Sequence, residues 1–255
     1  MPNARIFEIL LLLGRPAAGK SEILEFLKNI DDETRLEKYH SGKLDLIDDF
    51  PMLWAWFEED AILSEKFGQP RLHSDKDEYF RHPYLWNLLI ERIGLDYQKR
   101  TRDNNHYHHH TTTVVEFARG TEHGGYRQAF EHLSDPILER AGIVYVQVSF
   151  SESLRKNRKR FNPERPDSIL EHAVDEKKLE TLYRHDDWQD LISETGSKEY
   201  LTLRGRKVPH VVFENEDDVT TAGGARLGDR LEETLNQLWE LKCQDRKSKD
   251  AVLDE

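Results

Sequence analysis

Residues 9–21, ILLLLGRPAAGKS, decide the fold of this chain. The segment opens with five apolar residues, as expected of a strand that is buried on both faces, and the amphipathic sequence SEILEFLKNI that follows predicts a helix. Gly14 and Gly19 let successive backbone N–H groups turn toward one centre, because glycine has no Cβ to obstruct the turn. The helix that begins near Lys20 adds the positive end of its dipole at the same point. The segment therefore predicts a strand, an anion-binding loop and a helix in direct succession.

The composition describes an acidic chain with enough apolar bulk for a hydrophobic core. Its 255 residues carry a formal net charge of -12, and 37% of them are hydrophobic. This length favours a single large α/β domain over residues 1–255, with insertions, rather than two domains. A protein that coats nucleic acid needs a basic surface. The net charge therefore argues against bulk nucleic acid as a partner, although a small anion in a local basic pocket remains compatible with it.

Cysteine content and hydropathy indicate the compartment. Cys243 is the single cysteine, so no intramolecular disulfide is possible, as is typical of a reducing environment. The longest apolar run, residues 9–13, is far too short to span a bilayer, and no small-residue cleavage site follows it. We therefore expect a cytoplasmic protein with no membrane partner.

Five segments rich in branched apolar residues predict the strands of one sheet. They lie near residues 5–13, 43–48, 111–118, 142–150 and 208–214. Amphipathic segments separate them, which predicts a parallel sheet covered by helices on both faces. Two intervals are too long to be simple connections. Residues 50–110 are rich in aromatic side chains and predict a helical insertion after strand 2, and residues 151–207, basic at their start, predict a lid-like insertion after strand 4.

The loop GRPAAGKS matches the pattern GxxxxGK[ST] at every fixed position, and so resembles the Walker A phosphate loop of P-loop NTPases. In that motif the lysine contacts the β- and γ-phosphates and the hydroxyl residue binds Mg²⁺. The resemblance therefore implies ATP and Mg²⁺ as cofactors, with Lys20 and Ser21 in these two roles. The residues that it places around ATP are Gly14, Arg15, Pro16, Ala17, Ala18, Gly19, Lys20 and Ser21.

Further motifs separate the classes of P-loop protein. The DxxG and NKxD motifs of GTPases and the LSGGQ-like signature of ABC ATPases are absent from the sequence. The loop follows the first strand, as it does in the P-loop kinases of nucleosides, nucleotides and small metabolites, which the chain resembles. That resemblance implies a three-layer parallel sheet of strand order 2-3-1-4-5. It also implies an ATP-dependent kinase whose favoured acceptor is a nucleoside or nucleotide.

Asp48 and Asp49 close the second predicted strand. In nucleoside kinases, gluconate-type kinases and zeta-toxin-like kinases a carboxylate at this place meets the acceptor hydroxyl. The resemblance implies that Asp48 or Asp49 accepts the proton during phosphoryl transfer. Two alternatives remain open at this point: a solvated strand end, and a Walker B motif in which Asp48 binds the Mg²⁺ of an ordinary ATPase.

The sequence VVEFARG at 114–120 loosely resembles the third-strand motif of deoxynucleoside and thymidylate kinases, in which an arginine closely follows an acidic residue. The resemblance implies that Glu116 organises Mg²⁺ or its bound water, and that Arg119 contacts a phosphate. The alternative is an ion pair at the end of the strand.

Six basic residues lie between positions 155 and 165, after the fourth predicted strand. Related kinases carry a lid here, whose arginines fold over the triphosphate, offset its charge and exclude water. Arg155 and Arg158 are one helical turn apart and are expected to face the site together. Pro163 and Pro166 would mark the bend of the lid. A solvated basic helix face is the alternative.

Other features carry weaker signals. Asn215, after the last predicted strand, is a candidate for a contact with adenine and is also typical of a turn. The histidines at 106 and 108–110 are more typical of a solvated loop than of a metal site, and no HExxH motif occurs. The aromatic residues of 50–110 are expected to be mostly core, with a subset lining an acceptor pocket.

A second class of function remains possible from the sequence. A P-loop ATPase or regulatory module without a small-molecule acceptor would use the large insertion to bind partners, whereas a basic lid favours a kinase. The sequence determines neither the acceptor nor the oligomeric state.

Overall fold

The fold is built around one six-stranded sheet with helices on both faces. The computed structural model describes residues 6–160 and 174–253, and side chains to residue 245. The strands are β1 (Ile9–Gly14), β2 (Lys43–Asp48), β3 (Thr111–Phe117), β4 (Ala141–Gln147), β5 (Tyr200–Leu203) and β6 (Arg206–Glu214). The α-helices are α1 (Lys20–Asn29), α2 (Asp32–Tyr39), α3 (Asp49–Phe67), α4 (Tyr84–Thr101), α5 (Gly125–His132), α6 (Asp135–Arg140), α7 (Phe150–Arg160), α8 (Glu176–Tyr183), α9 (Trp188–Thr195), α10 (Val219–Ala222) and α11 (Gly224–Leu253). Single turns of 3-10 helix lie at Tyr107–His109 and Thr121–His123.

The strand order is 2-3-1-4-6-5, which corrects the predicted order 2-3-1-4-5. The five predicted strands pair in parallel as expected, but the last of them is β6, because the sequence prediction missed β5. Strand β5 pairs antiparallel with β6. Arg204 and Gly205 join the two strands with positive φ angles of 49° and 78°, which a two-residue hairpin turn requires. The predicted lid-like insertion at 151–207 thus contains an edge strand of the sheet.

Two hydrophobic layers cover the two faces of the sheet. Side chains alternate along a strand, so Ile9, Leu11 and Leu13 of β1 pack on one face and Leu10 and Leu12 on the other. Helices α4, α5 and α6 cover the first face, and α1 and α11 cover the second. The continuous apolar run that opens the chain is therefore buried on both sides, as its sequence indicates.

The segment between β2 and β3 carries its own apolar cluster. Helices α3 and α4 pack Leu53, Trp56 and Phe57 against Trp86 and Leu89. Most of the aromatic residues of this segment are buried or half-buried, as expected for core positions. Within the described part of the chain, no helix is both long and apolar enough to cross a membrane.

After β4 the chain continues through α7, α8 and α9 before it reaches β5. The predicted lid bend at Pro163 and Pro166, and the basic residue Arg165, lie outside the described residues.

The register of the parallel strands places the functional candidates at one edge of the sheet. Leu13 of β1 pairs with Phe117 of β3, and Asp48 of β2 pairs with Glu116 of β3. The loop that leaves β1 therefore lies beside the carboxyl ends of β2 and β3, which is where parallel α/β sheets bind their ligands.

Candidate active site

The loop of residues 14–19 has a backbone that only glycine tolerates at both of its ends. Gly14 and Gly19 have φ angles of 146° and 113°. A Cβ on Gly14 would lie 2.7 Å from the carbonyl oxygen of Val146, and one on Gly19 would lie 2.5 Å from Oγ1 of Thr220. Both contacts are too short, so the two fixed glycines of the motif are required by backbone conformation and by close packing.

Lys20 is the first residue of α1 and its side chain is buried over the loop. Its Nζ donates hydrogen bonds of 3.0 Å to the carbonyl oxygens of Gly14 and Arg15, and lies 3.8 Å from a carboxylate oxygen of Glu116. Burial lowers the pKa of Lys20, and the nearby Glu116 partly counters that effect. The ammonium group of Lys20 is thus held at the mouth of the loop by two backbone carbonyl oxygens, which phosphate oxygens can replace.

Side chains from distant elements support the loop. The hydroxyl oxygen of Tyr126 accepts a hydrogen bond from the backbone N–H of Gly14, at 3.2 Å. The hydroxyl of Ser153, in α7, donates to the carbonyl oxygen of Pro16, at 2.7 Å. These contacts connect the loop to α5 and to α7.

Asn215 is fully buried beneath the same loop. Its amide nitrogen donates to the carbonyl oxygen of Ala18 at 2.7 Å and to the hydroxyl of Thr220 at 2.8 Å. The sequence made Asn215 a candidate for a contact with adenine. In the structure its amide nitrogen is instead hydrogen-bonded to the loop and to Thr220. Asn215 therefore positions the phosphate loop.

Arg15 forms an ion pair that sequence reasoning missed. Its Nη1 lies 2.6 Å from Oδ2 of Asp186, and both side chains are largely buried. Tyr145 donates its hydroxyl to the same carboxylate oxygen at 3.1 Å, and Arg15 also donates to the carbonyl oxygen of Tyr183 at 3.3 Å. The side chain of the second loop residue is therefore used to connect the loop to the segment between α8 and α9. An arginine inside a glycine loop and a distant Asp-Asp pair are the only sequence signals of this contact.

Asp48 and Glu116 form the acidic wall opposite the loop. Burial, together with the nearby carboxylates of Glu116 and Asp49, raises the pKa of Asp48 to about 8. Burial also raises the pKa of Glu116, although Lys20 opposes this. Crowded, desolvated carboxylates favour a proton or a cation between them. The site thus fits a bound Mg²⁺ ion.

Asp49 and Arg119 form a buried ion pair with 2.6 Å between their Oδ2 and Nη1 atoms. Arg119 also donates to the carbonyl oxygen of Trp86 at 3.2 Å, and its guanidinium lies 5.4 Å from the centre of the Trp86 ring. Arg119 thus lines the site as expected, but its closest charged partner is Asp49. This pairing separates the roles of the two adjacent aspartates, because Asp49 neutralises an arginine and Asp48 does not.

Helix α7 presents Arg155 and Arg158 away from the phosphate loop. Arg155 pairs with Glu152 and with Asp218 at 2.6 and 2.7 Å, and Arg158 pairs with Glu176 at 2.7 Å. The two side chains are 49% and 60% exposed. The expectation that they face the site together is therefore not met in this conformation.

Arg160, which sequence reasoning did not select, lines the cavity at the phosphate loop and pairs with Glu22 at 3.0 Å. The reason is helical periodicity. Ser153, Lys156 and Asn157 are the buried residues of α7, and position 160 continues their stripe at spacings of three and four. The basic run in the sequence did not single out Arg160, because only the packing of α7 shows which of its faces is buried.

Two cavities meet at this edge of the sheet. The phosphate cavity, of about 90 Å³, is lined by Gly19, Lys20, Ser21, Asp48, Asp49, Glu116, Arg119 and Arg160 among others. The aromatic cavity, of about 340 Å³, is lined by rings that include Trp54, Phe57, Tyr79 and Phe80. The two cavities share the walls Phe50, Leu53, Trp86, Val174 and Tyr183.

A larger open cleft of about 1010 Å³ lies at the opposite edge of the sheet, where β2 and β3 begin. Its lining includes His108, whose Nε2 lies 2.8 Å from the hydroxyl of Tyr97. Among the side chains described, those of residues 6–160 and 174–245, no group of three His, Cys, Asp or Glu residues is arranged to hold a metal ion by itself. Size alone therefore does not identify the active site, because the glycine loop with Lys20 opens into the smaller phosphate cavity.

Comparison with known proteins gives no matching family model and no matching curated protein. Similar solved structures include an unliganded sugar kinase from Janibacter sp. HTCC2649, with 12% identity and a TM-score of 0.38, which covers 92% of this chain and 97% of that chain. Another is APE1195, with 14% identity and a TM-score of 0.34, which covers 91% of this chain and 98% of that chain. These likenesses are too distant to indicate an activity.

Proposed function

We propose that this protein is an ATP- and Mg²⁺-dependent kinase that transfers the γ-phosphoryl group to a hydroxyl of a small molecule, with a nucleoside as the favoured acceptor. The observation that carries the proposal is the meeting of two cavities. The phosphate loop opens into a cavity with an acidic wall, and that cavity shares five residues with an aromatic one of small-molecule size.

The triphosphate binds at the loop between β1 and α1. Its oxygens accept hydrogen bonds from the loop N–H groups and displace the two carbonyl oxygens that hold Lys20. Lys20 and Arg160, both in the wall of the phosphate cavity, then lie beside the transferring group. Their charges stabilise the transition state, in which negative charge spreads over the γ-phosphoryl oxygens.

Ser21 and Glu116 are the proposed Mg²⁺ ligands from the protein. Both line the phosphate cavity, and the raised pKa of Glu116 reflects a buried carboxylate that a cation would stabilise. Mg²⁺ commonly takes one or two protein oxygens together with phosphate and water oxygens, so a cluster of three acidic side chains is not required. When bound, the ion offsets charge on the phosphates.

Asp48 is the proposed general base. The acceptor oxygen attacks the γ-phosphorus, the bond from that phosphorus to the bridging oxygen of ADP breaks, and the acceptor proton passes to Asp48. A pKa of about 8 places this carboxyl close to the operating pH, which is suitable for proton transfer. Asp49 is the less suitable base because it is paired with Arg119.

The aromatic cavity is the proposed acceptor site. Its volume of about 340 Å³ suits a small molecule, and Trp86 and Tyr183 form walls shared with the phosphate cavity. Planar side chains stack well on the rings of nucleobases. The ring of a nucleoside would lie among the aromatic side chains, with its hydroxyl directed toward Asp48.

A panel of nucleosides, nucleotides and sugars tests the proposal by the rate of ADP release from ATP with Mg²⁺. We expect one class of compound to accelerate release, and Lys20→Ala to abolish the acceleration and most of the ATP-induced rise in Tm. Lys28→Ala is the matched control, because Lys28 is an exposed lysine of the same helix. ATP hydrolysis that no compound accelerates would instead support an ATPase or regulatory module, in which Asp48 acts as a Walker B residue. If ATP raised the Tm of Lys20→Ala as much as that of wild type, the proposed role of the loop in ATP binding would be wrong.

A further inference from the structure

The aromatic cavity combines ring faces with an excess of carboxylates. Among the described residues that line it, Glu78, Glu122 and Asp175 are acidic and Lys178 is the single lysine or arginine. The acidic residues lie at the partly or fully exposed rim, whereas rings such as Phe57 lie deeper. The local charge is therefore negative, and an aromatic wall adds the negative electrostatic potential of its ring faces.

The protein already places its own cations on the rings of this region. Nζ of Lys178 lies 5.5 Å from the centre of the Tyr79 ring and 2.9 Å from a carboxylate oxygen of Glu78. On the other side, the guanidinium of Arg119 lies 5.4 Å from the centre of the Trp86 ring. These contacts are cation–π interactions, which strengthen when the cation is withdrawn from water.

Among the described residues that line the phosphate cavity, the cationic side chains are Lys20, Arg119 and Arg160, and each already lies beside a carboxylate. Arg119 is paired with Asp49 and Arg160 with Glu22, and Lys20 lies 3.8 Å from a carboxylate oxygen of Glu116. ATP brings several further negative charges to these groups. An acceptor that already carried a phosphate would add charge between ATP and the acidic rim of the aromatic cavity, where it would be repelled.

We propose that the acceptor is a hydroxyl compound with a positively charged head group, and that the aromatic cavity binds this cation between its rings and acidic rim. A ribonucleoside with a pyridinium-type ring has this chemistry. The proposal rests on the proposed kinase function for the direction of the hydroxyl, but binding of the cation depends on the aromatic cavity alone. Selectivity arises because ring faces and carboxylates attract the charged head group more than a neutral ring of equal shape.

Two probes that differ only in charge test the proposal: pyridinium riboside and its neutral analogue phenyl riboside. Isothermal titration calorimetry on the full chain without nucleotide compares their Kd values. We expect the cationic probe to bind about 10-fold more tightly at low salt, since cation–π and rim attraction together supply this order of preference. The preference for the cationic probe should decrease as the NaCl concentration is raised, because salt screens the charges of the exposed rim. Equal affinities, tighter binding of the neutral probe, or binding of neither would overturn the proposal.

A double variant, Glu78→Gln with Glu122→Gln, tests the source of the preference. It removes two rim carboxylates and releases Lys178 from its ion pair, so the preference for the cation should fall to about 3-fold or less. Phenyl riboside should bind as it does to wild type, which also reports that the cavity is intact. Glu131→Gln is the matched control, since Glu131 is an exposed glutamate of α5 outside the cavity lining. An undiminished preference in the double variant would overturn the assigned role of the rim.

Phosphoryl transfer to the same probes separates failure of this proposal from failure of the kinase assignment. Preferential binding of the cation without transfer of phosphate would support the cation site and contradict the kinase. Transfer to both probes with equal Kd and kcat/KM would support the kinase and overturn the cation site.

Discussion

Replacing Asp48 by asparagine is expected to make this protein more stable and nearly inactive at the same time. Burial, with nearby Glu116 and Asp49, raises the pKa of Asp48 from 3.8 to about 8. The folded chain therefore retains a proton that the unfolded chain releases, and the folded state loses stability as the pH rises from about 4 to about 8. At pH 7 this loss is at most about 4 kcal/mol, because each pH unit above the unfolded pKa costs about 1.4 kcal/mol.

Asparagine removes the charge but keeps the shape and the helix cap. The carboxylate of Asp48 accepts a 3.0 Å hydrogen bond from the backbone N–H of Phe50 at the start of α3, and an asparagine side chain serves this role equally well. Recovery of about 1 kcal/mol of the lost stability would raise the Tm by about 3 °C. We therefore expect the Tm of Asp48→Asn at pH 7 to exceed that of wild type by about 3 °C or more. The gain should vanish near pH 4 and be largest near pH 8. Turnover should fall by about 10²- to 10⁴-fold with the loss of the base.

Scanning calorimetry at pH 4, 7 and 8 measures the stability, and ADP release with the acceptor found in the panel measures turnover. Wild-type kcat/KM should increase with pH up to about 8, as Asp48 ionises. Asp45→Asn is the matched control, because Asp45 lies on the same strand, outside the phosphate cavity, and pairs with Arg100. That variant should keep wild-type turnover and should not gain stability. Wild-type turnover in Asp48→Asn, or a Tm below wild type at pH 8, would refute the reasoning.

Three further predictions concern charged and titratable side chains. In steady-state assays, Arg160→Ala should lower kcat by about 10- to 10³-fold and weaken ATP binding by less. Arg158→Ala, on the exposed face of α7, should keep a kcat within about 3-fold of wild type. A larger loss of kcat in Arg158→Ala than in Arg160→Ala would contradict the assignment of helix faces. Arg119→Ala leaves Asp49 buried without its partner, so urea unfolding should show a loss of about 3–5 kcal/mol, and a loss below about 1 kcal/mol would contradict the importance of this pair. Burial lowers the pKa of His210 to about 4, so stability should fall by at most about 3 kcal/mol as the pH decreases from 6.5 to 4, and His210→Leu should show a smaller decline in the same titration.

The parallel part of the sheet was predictable because a strand buried on both faces appears as a continuous apolar run. All five predicted strands occur, and β2 spans residues 43–48 as expected. Strand β5 was missed because it is a four-residue edge strand, YLTL, in which Thr202 is exposed. Its existence depends on the hairpin turn at Arg204 and Gly205 and on pairing with β6, neither of which creates an apolar run.

Much of the lining of the phosphate cavity could be predicted from the sequence, but the ion pairs of its arginines could not. The loop residues, Asp48 and Glu116 were recognisable because each follows or ends a strand whose position was readable. The basic run after β4 was also visible. The sequence did not show which basic side chain of this run points into the cavity, because that depends on the face by which α7 packs against the rest of the protein.

The sequence by itself determined the phosphate loop, because its conformation depends on φ angles and on N–H directions within a few consecutive residues. Only the tertiary structure decided which charges pair. Arg119 is 70 residues from Asp49 along the chain, yet their side chains are 2.6 Å apart. Arg15 meets Asp186 in the same way, across most of the chain. Such pairs form after strand register and helix packing have brought the elements together. Local sequence patterns carry no information about them, because the energy of an ion pair depends on distance in space and on burial.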